Sequence, residues 1–231
     1  MSLYTIGDLH LSFGCDKPMD VFKGWEDYVT KLQENWQATV KPEDTVVIVG
    51  DISWGMNLDQ AKEDFAFIHQ LNGRKIILKG NHDYWFVTKT KVDNFLVENG
   101  FDSIRILFNN AFAYGKYAIC GTRGWINEQG EQVDKKVLLR EAGRLRTSLD
   151  SGKEMGLEPI VFLHYPPVYN TTECLEMLEV LKEYNVKECY YGHIHGSGFY
   201  YAIDGLYKQV NYRLVSCDYT QFRPVKVRNS K

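Results

Sequence analysis

Three features are missing from this sequence: a long apolar run, an excess of basic residues and a pair of closely spaced cysteines. Without an apolar run of about 18 residues, no segment is long enough to cross a membrane as a helix. A net charge of −3 provides no bulk positive field for nucleic acid or an acidic membrane surface. The N-terminal residues MSLYTIGDLH also lack the basic region and long apolar stretch of a signal peptide.

These absences predict a cytoplasmic protein that has no membrane partner and for which nucleic acid is not an expected partner. The five scattered cysteines, without a CxxC pair, are typical of reduced and mostly buried thiols. The 231 residues, 44% of them hydrophobic, suit one domain with a sizeable core, and no repeat or linker divides the chain. We predict a single domain over residues 1–231, while the oligomeric state stays open.

Six short apolar runs, each followed directly by Gly or His, predict buried strands. The runs are LYTI, TVVIV, KIILK, YAIC, PIVFL and ECYY. Apolar residues at helical spacing lie between them and predict five helices, over 22–36, 58–71, 92–96, 138–149 and 175–181. This alternation predicts an α/β architecture. Later in the chain, strand-like residues on both sides of Asp204-Gly205 predict a hairpin with that pair at its turn.

Polar residues follow these predicted strands at their carboxyl ends, where α/β sheets gather ligands. They are Asp8, His10, Asp51, Asn81, His82, Asp83, His164, His193 and His195. Within GHIHG, an extended His-x-His would send both imidazoles to one face. Carboxylates, imidazoles and an amide without a thiolate suit Mn, Fe or Zn, and seven ligands are too many for one tetrahedral ion. We therefore expect two divalent or trivalent metal ions that share a carboxylate.

The ordered motifs GDLH, GD, GNHD, HYPP and GHIHG, from Gly7 to Gly196, resemble the calcineurin-like metallophosphoesterase superfamily. The resemblance implies a four-layer αββα sandwich, in which two mixed β-sheets pack face to face and helices cover both outer sides. It also implies the metal ligands: Asp8, His10 and His195 for one ion, Asn81, His164 and His193 for the other, and Asp51 as the bridge.

The resemblance also places His82 beside the ions, facing the substrate, where it would protonate the leaving oxygen as a general acid. Asp51 would be catalytic through its bridging position, because two ions that share a water make hydroxide available near neutral pH. Asn81 is expected to contact the substrate as well as a metal ion. Asp83 either orients His82 or only stabilises the turn.

Differences from known branches narrow the activity. Protein Ser/Thr phosphatases carry Gly-Asp-x-x-Asp-Arg-Gly and Gly-Asn-His-Glu, where this chain has GDISWGMN and GNHDYW, so a protein phosphatase is not expected. The chain is more similar to uncharacterised bacterial-type predicted phosphohydrolases. Some small phosphodiesterases carry Cys in place of His82, so the imidazole keeps phosphomonoester cleavage open.

Two further features have alternative interpretations. Arg123, in GTRGW, either binds a substrate phosphate or forms a surface salt bridge. The aromatic residues beside the motifs either form a rim that stacks on a base or pack in the core and loops. They are Trp54, Tyr84, Trp85, Trp125 and Tyr165.

We predict a dinuclear metal-dependent phosphohydrolase that cleaves small phosphomonoesters or phosphodiesters, nucleotides among them, by attack of a metal-bound hydroxide. One alternative is a catalytically silent scaffold on the same fold, but such members usually lack some ligands. Another is a nuclease subunit, which would usually carry extra DNA-binding segments and a basic face. Neither segments nor face is evident in the sequence.

Overall fold

The structure is a computed structural model and describes residues 1–126 and 134–229. In this part of the chain, strands form two large sheets and one small hairpin. The strands are β1 (Ser2–Ile6), β2 (Thr45–Val49), β3 (Arg74–Leu78), β4 (Ile104–Ile106), β5 (Phe112–Tyr114), β6 (Tyr117–Thr122), β7 (Glu158–Leu163), β8 (Val168–Tyr169), β9 (Thr172–Glu173), β10 (Glu188–Tyr191), β11 (Gly205–Tyr207), β12 (Val210–Leu214) and β13 (Val225–Asn229). All six predicted strands are present.

Five α-helices connect these strands in the described residues. They are α1 (Tyr28–Thr39), α2 (Leu58–Gln70), α3 (Lys89–Glu98), α4 (Lys135–Glu154) and α5 (Leu175–Glu183). The predicted cap of α2 is confirmed, because the Asn57 side chain accepts a hydrogen bond from the Gln60 N–H at 3.0 Å. The left-handed Gly100, at φ 70°, follows α3 as a typical C-terminal signal.

The two large sheets are mixed. The first has the order β13-β1-β2-β3-β4 and is parallel except for β13. The second has the order β11-β12-β10-β7-β6-β5, in which the two edge strands run antiparallel to a parallel centre. The parallel strands of each sheet therefore bring their carboxyl ends to one edge, where ligands gather in such sheets.

Alternating side chains build four layers. Along β2, Val46 and Ile48 pack with α1, α2 and α3, while Val47 packs in the space between the sheets. Along β7, Val161 packs with α4 and α5, while Phe162 packs between the sheets. Both faces of each sheet are thus buried, which explains the continuous apolar runs in the sequence. The predicted αββα class with two mixed sheets is confirmed.

Two local predictions are wrong. The first helix begins at Tyr28 rather than near Phe22. Asp27 adopts a left-handed conformation at φ 52°, so the helix cannot extend further toward the N-terminus. The late hairpin pairs β11 with β12 and turns at Lys208-Gln209, both at positive φ, as a type I′ turn requires. Asp204-Gly205 instead leads into β11, and the aromatic residues before it form a 3₁₀ helix at Gly196–Tyr201.

Three predictions concern the chain as a whole: the state of its cysteines, the absence of a membrane span and the number of domains. All five cysteines are free, four of them buried, as predicted. No helix within the described residues is both long and apolar enough to cross a membrane. A single domain over 1–231 stays a prediction.

Candidate metal centre

Loops after five strands meet at the shared carboxyl edge of the two sheets. The Gly7 N–H donates to the Val215 carbonyl at 2.8 Å, which ties the end of β1 to the end of β12 in the other sheet. The loops after β1, β2, β3, β7 and β10 carry the residues that the sequence singles out, and two clusters of metal-ligand type form there. The structure therefore brings together side chains that lie up to about 190 residues apart in the chain.

The first cluster contains Asp8, His10 and His195, whose ligand-type atoms all lie within 4.8 Å of one another. The Nε2 atoms of His10 and His195 are 3.4 Å apart, and His195 Nε2 is 3.7 Å from Asp8 Oδ1. The Nδ1–H of His195 donates to Asp218 Oδ1 at 2.9 Å. In the neutral ring, Nε2 therefore keeps a free lone pair that points into the cluster.

The second cluster contains Asp51, His164 and His193, again within 4.8 Å. The Nδ1–H of His164 donates to the Val49 carbonyl at 3.0 Å, so its Nε2 carries a lone pair. That Nε2 lies 2.5 Å from Asn81 Oδ1, and His193 Nδ1 lies 3.0 Å from the same oxygen. The predicted ligand Asn81 thus lies inside this cluster.

Asp51 lies between the two clusters. Its Oδ2 is 3.8 Å from Nε2 of His10 in the first cluster and 3.5 Å from Nε2 of His164 in the second. Its Oδ1 accepts a hydrogen bond from the His82 backbone N–H at 2.8 Å. The position is the one that a bridging carboxylate needs, and the bridging role itself stays a prediction.

The His-x-His segment does not behave as an extended strand. His193 adopts φ 72°, and its ring joins the second cluster while His195 joins the first. The expectation that both imidazoles share one face is therefore wrong. The physical reason is that the Asp8 carboxylate accepts the His193 backbone N–H at 3.0 Å, which holds the backbone in a bend.

Several residues of this centre have strained backbone conformations. Asp8, His10, Asp51 and His193 all lie in the left-handed region, at φ values from 47° to 72°. Such φ values are uncommon for residues other than Gly, and they persist where the surroundings enforce them. Four of the seven predicted ligands are strained, which indicates a preorganised site.

Two glycines of the motifs make room for carboxylates. A Cβ on Gly80 would lie 2.1 Å from Asp51 Oδ1, and a Cβ on Gly192 would lie 2.4 Å from Asp8 Oδ2. Both distances are far inside van der Waals contact. The glycines of GNHD and GHIHG are therefore required by the close approach of the carboxylates, beyond any need for a turn.

Burial controls the ionisation of most of these groups. It raises the pKa of Asp8 to about 8 and that of Asp51 to about 6. It lowers the pKa of His164 to about 3 and that of His193 to about 2. The two imidazoles are therefore neutral near pH 7, which is the form that binds a metal ion.

His195 is the exception. Burial by itself would lower its pKa, but the hydrogen bond to Asp218 and the charge of Asp8 outweigh burial and raise the pKa to about 9. A metal ion in the first cluster would therefore have to displace a proton from His195, whereas burial favours neutral rings in the second cluster.

The residues fit metal ions. Among the described residues, no Lys or Arg lies within 4 Å of the Asp8 or Asp51 carboxylate, although both are buried. His164 Nε2 and Asn81 Oδ1 both present lone pairs at 2.5 Å, which is unfavourable unless both atoms share a cation. Oxygen and imidazole donors without a thiolate suit divalent ions such as Mn, Fe or Zn.

A family model described as calcineurin-like phosphoesterase matches residues 1–197. The chain belongs to the calcineurin-like phosphoesterase family. The match includes both clusters, and membership points to a metal-dependent hydrolase. Asp218, the partner of His195, lies beyond the matched residues.

One protein of known sequence matches part of this chain. The uncharacterized protein MJ1445 of Methanocaldococcus jannaschii is 30% identical over 86 residues, which are 35% of this chain and 46% of that protein. The match thus spans about half the length of that relative.

Solved structures are similar over nearly the whole chain. Phosphopantetheinyl hydrolase (PptH) of Mycobacterium tuberculosis has a TM-score of 0.54 and 12% identity, covering 98% of this chain and 95% of that one. TT1561 of Thermus thermophilus has a TM-score of 0.54 and 12% identity, covering 98% and 97%. AQ665 of Aquifex aeolicus, a protein of unknown function, has a TM-score of 0.50 and 16% identity, covering 97% and 95%. Identities this low show a shared fold alone.

His82 lies beside the centre and belongs to neither cluster. Its ring centroid is 5.8 Å from that of His10 and 4.5 Å from that of Trp54. Its Nδ1 is enclosed and has no hydrogen-bond partner among the described residues. The backbone bond to Asp51 fixes the position of His82 relative to the centre.

The two interpretations of Asp83 are separated by its contacts. The buried carboxylate accepts backbone N–H groups of Gly80 at 2.7 Å and Ile52 at 2.8 Å, and the Trp85 indole N–H at 2.8 Å. It thus stabilises the loop rather than the His82 ring. Asp218 is the residue that sequence reasoning missed. The signal was available, because Asp218 also follows the end of a parallel strand, β12.

Arg123 is less exposed than a surface salt bridge would require. Its side chain is 17% exposed, and its Nη2 is 3.5 Å from the fully buried Glu141. Its guanidinium lies 5.0 Å from the Trp125 ring centroid, and its Nε is enclosed without a partner among the described residues. The side chain therefore lies in a partly buried basic region beside the centre and belongs to neither metal cluster.

The aromatic residues divide into packing and site positions. Trp85 is fully buried in the core, and Tyr84 is 53% exposed. Trp54 stacks on the His10 ring at 4.9 Å, and Tyr165 packs on the His193 ring at 4.2 Å. Packing thus accounts for Trp85, while Trp54 and Tyr165 support rings of the centre.

Proposed function

We propose that the protein hydrolyses a small phosphomonoester or phosphodiester with two metal ions bound at the centre. The observation that carries this proposal is the convergence of seven ligand-type side chains, with two buried carboxylates and no Lys or Arg within 4 Å of them in the described residues. Asp8, His10 and His195 would hold one ion, Asn81, His164 and His193 the other, and Asp51 both. Bound divalent ions supply activation of a water molecule and neutralisation of charge on the phosphoryl group.

The protein's own residues would perform the remaining tasks. Asp51 sets the spacing between the clusters, and its hydrogen bond from the His82 N–H positions the next loop. His82 would hold a proton and donate it to the leaving oxygen; because Nδ1 is enclosed, the ring would reach the substrate through Nε2. Trp54 limits rotation of the His82 ring by packing against it. Asn81 would orient the substrate beside its ligand role.

Arg123 would bind an anionic group of the substrate. Its support is a mostly buried guanidinium whose Nε has no partner among the described residues and whose contact to Glu141 is long. PptH is by name a phosphopantetheinyl hydrolase, but at 12% identity its substrate does not transfer to this chain. We propose a small phosphoester as the partner and a cytoplasmic location.

A substrate panel tests the proposal. The protein, reconstituted with Mn, Fe or Zn, is assayed against alkyl and aryl phosphomonoesters, phosphodiesters and cyclic nucleotides, and bound metal is measured by elemental analysis. We expect hydrolysis of at least one class and about two ions per chain. A protein that carries two ions but cleaves no member of the panel would support the scaffold alternative instead.

A further inference from the structure

Four cationic side chains line one cavity that contains none of the metal-cluster residues. We call Lys79, Arg123, Arg140 and Arg144 the basic pocket; they line a cavity of about 230 Å³. At about 30 Å³ for each water molecule in the liquid, that volume equals roughly seven or eight waters, enough for a phosphate group. Such a concentration of positive charge is unexpected in a chain whose net charge is −3.

A single buried carboxylate, Glu141, neutralises only part of this charge. Its Oε1 is 2.7 Å from Arg144 Nη1, 3.5 Å from Arg123 Nη2 and 3.8 Å from Arg140 Nε. Its Oε2 is occupied by the Thr122 hydroxyl, which donates at 3.0 Å. Within the described residues, only the Arg144 contact is a short ion pair, and the four cations with this one anion have a formal charge of +3.

Lys79 forms no ion pair in the described part of the chain, since no carboxylate there lies within 4 Å of its Nζ; the charges of Asp83 and Glu141 act on it from a greater distance. Its Nζ is 5.4 Å from the Phe86 ring centroid, and Arg144 Cζ is 5.0 Å from that of Phe108. The apolar walls reduce solvent screening, so an anion in the cavity would be held more strongly than at an open surface.

The basic pocket adjoins the metal centre through two short connections. Lys79 lies two residues before Asn81 in the same loop. The Arg123 carbonyl accepts the backbone N–H of His164 at 3.1 Å and that of Tyr165 at 2.9 Å. One substrate could therefore occupy both regions.

We propose that the basic pocket binds a second phosphate group of the substrate, so that the substrate class is a small molecule with two phosphate groups. Guanidinium groups recognise phosphate through paired, charge-assisted hydrogen bonds, and Lys79 adds a point charge. The ester at the metal centre is hydrolysed, while the other phosphate stays in the basic pocket. This inference rests on the proposed function.

The first test measures binding without catalysis. Pyrophosphate is titrated into the metal-free protein by calorimetry, for wild type, Lys79→Gln and Arg140→Gln. We expect binding to wild type and a loss of about tenfold to 100-fold in each variant, the range for one charged hydrogen bond. Arg140 is 54% exposed, so its variant should fold even if Lys79→Gln does not. Lys153→Gln, on the same helix and outside the basic pocket, is the control and should bind as wild type.

The second test identifies the source of the phosphate. Alkanediol monophosphates and bisphosphates of about two to six carbons are compared by kcat/KM on the metal-loaded protein. We expect at least one bisphosphate to exceed its monophosphate by about tenfold or more, and Arg140→Gln to remove that preference.

The outcomes separate cleanly. Pyrophosphate binding with no preferred bisphosphate would mean that the pocket takes a free anion, which overturns the substrate assignment. Absence of both binding and preference would overturn the pocket altogether. Failure of the proposed function is distinct: the protein with two ions would hydrolyse neither monophosphates nor bisphosphates, whatever the calorimetry shows.

Discussion

The metal centre and the basic pocket adjoin each other, yet each carries the charge pattern that the other lacks. In the metal centre, buried carboxylates and imidazole lone pairs converge without a Lys or Arg within 4 Å among the described residues. In the basic pocket, four cations face a cavity, and three of them, the arginines, share one carboxylate. In each region a group of opposite charge, His195 or Glu141, offsets only part of the buried charge, and a bound ligand of opposite charge would neutralise the rest.

The buried lysine Lys75 shows how a cation with a structural role differs from one in a ligand site. Lys75 is fully buried at the start of β3, four residues before Lys79. Its ammonium donates to the carbonyls of His69, Leu71 and Gly73, at 3.2, 2.6 and 2.8 Å. The chain thus satisfies Lys75 by itself, whereas no carboxylate among the described residues lies within 4 Å of the Lys79 ammonium.

The largest expected effect is that of Asp51→Asn, which breaks the acidic half of this comparison. The variant loses the charge between the two clusters, so both ions should bind weakly and hydrolysis should be abolished. Activity and metal content are measured together. Asp44→Asn is the matched control, because Asp44 is buried just before the opposite end of the same strand, and it should keep its metal. Near-normal turnover with two ions in Asp51→Asn would contradict the bridging role.

Next is His82→Ala, whose effect should depend on the leaving group. A general acid contributes about 10² to 10⁴ in rate, mostly when the leaving oxygen is a poor one. We expect a large loss on an alkyl ester, a small loss on a nitrophenyl ester, and unchanged metal content. His69→Ala, in α2, serves as the control. Equal losses on both esters would assign His82 to phosphate positioning, and loss of metal would make it a ligand.

Local patterns predicted most of this architecture because the strands are buried on both faces and their ends carry unusual residue types. The six apolar runs and the nine polar residues at their ends can be identified without knowing which strands pair. What failed depends on single backbone conformations, as at Asp27 and His193, which no periodicity encodes.

The basic pocket could not be found from the sequence for a related reason. Its cations come from the ends of β3 and β6 and from one face of α4, and only packing of those elements brings them together. The glycine neighbours of Arg123 mark it in the sequence, while Lys79 and Arg144 resemble ordinary surface cations there.

A third prediction concerns Asp218, which gives the first cluster its distinct character. Asp218→Asn removes the negative acceptor at His195 Nδ1 that raises the pKa of that ring. Loss of such a partner typically lowers metal affinity by about 10-fold to 100-fold. Metal titration should show one weakened ion and one unchanged ion. Asp204→Asn, at an exposed Tyr219 contact, is the control. Equal weakening of the binding of both ions would contradict the expectation that Asp218 acts through the first cluster alone.

Arg123→Ala should have a smaller effect, on the basic half of the comparison. Glu141 already engages the guanidinium at 3.5 Å, so we expect a loss near the lower end for a charged hydrogen bond, about tenfold in kcat/KM. Metal content should stay the same. Arg146→Ala, which breaks an exposed pair with Glu183, controls for the loss of a surface arginine. Unchanged kinetics on a confirmed substrate would return Arg123 to a purely structural salt bridge.

The smallest expected effect is that of Lys79→Met on the free energy of unfolding, which we compare with the effect of Lys75→Met. Removing Lys75 leaves three carbonyls without their donor, so urea unfolding should show a loss of about 1–3 kcal/mol. Removing Lys79 takes away a cation that Arg123 repels and that forms no ion pair within 4 Å among the described residues, so stability should stay within about 0.5 kcal/mol of wild type or rise.

The pH dependence checks that the two lysines differ as described. Burial lowers the pKa of Lys75 from 10.5 to about 8, so unfolding takes up a proton between those values. The contribution of Lys75 to the free energy of unfolding therefore rises with pH in that window. We expect the difference in the free energy of unfolding between wild type and Lys75→Met to grow from about pH 8 to about pH 10. The buried cysteines also titrate at high pH, but they are present in both proteins and therefore cancel in this difference. If Lys79→Met, in buffer without added anion, lost as much stability as Lys75→Met, Lys79 would be a structural cation that the chain itself satisfies. The proposed difference between the two lysines would then be wrong.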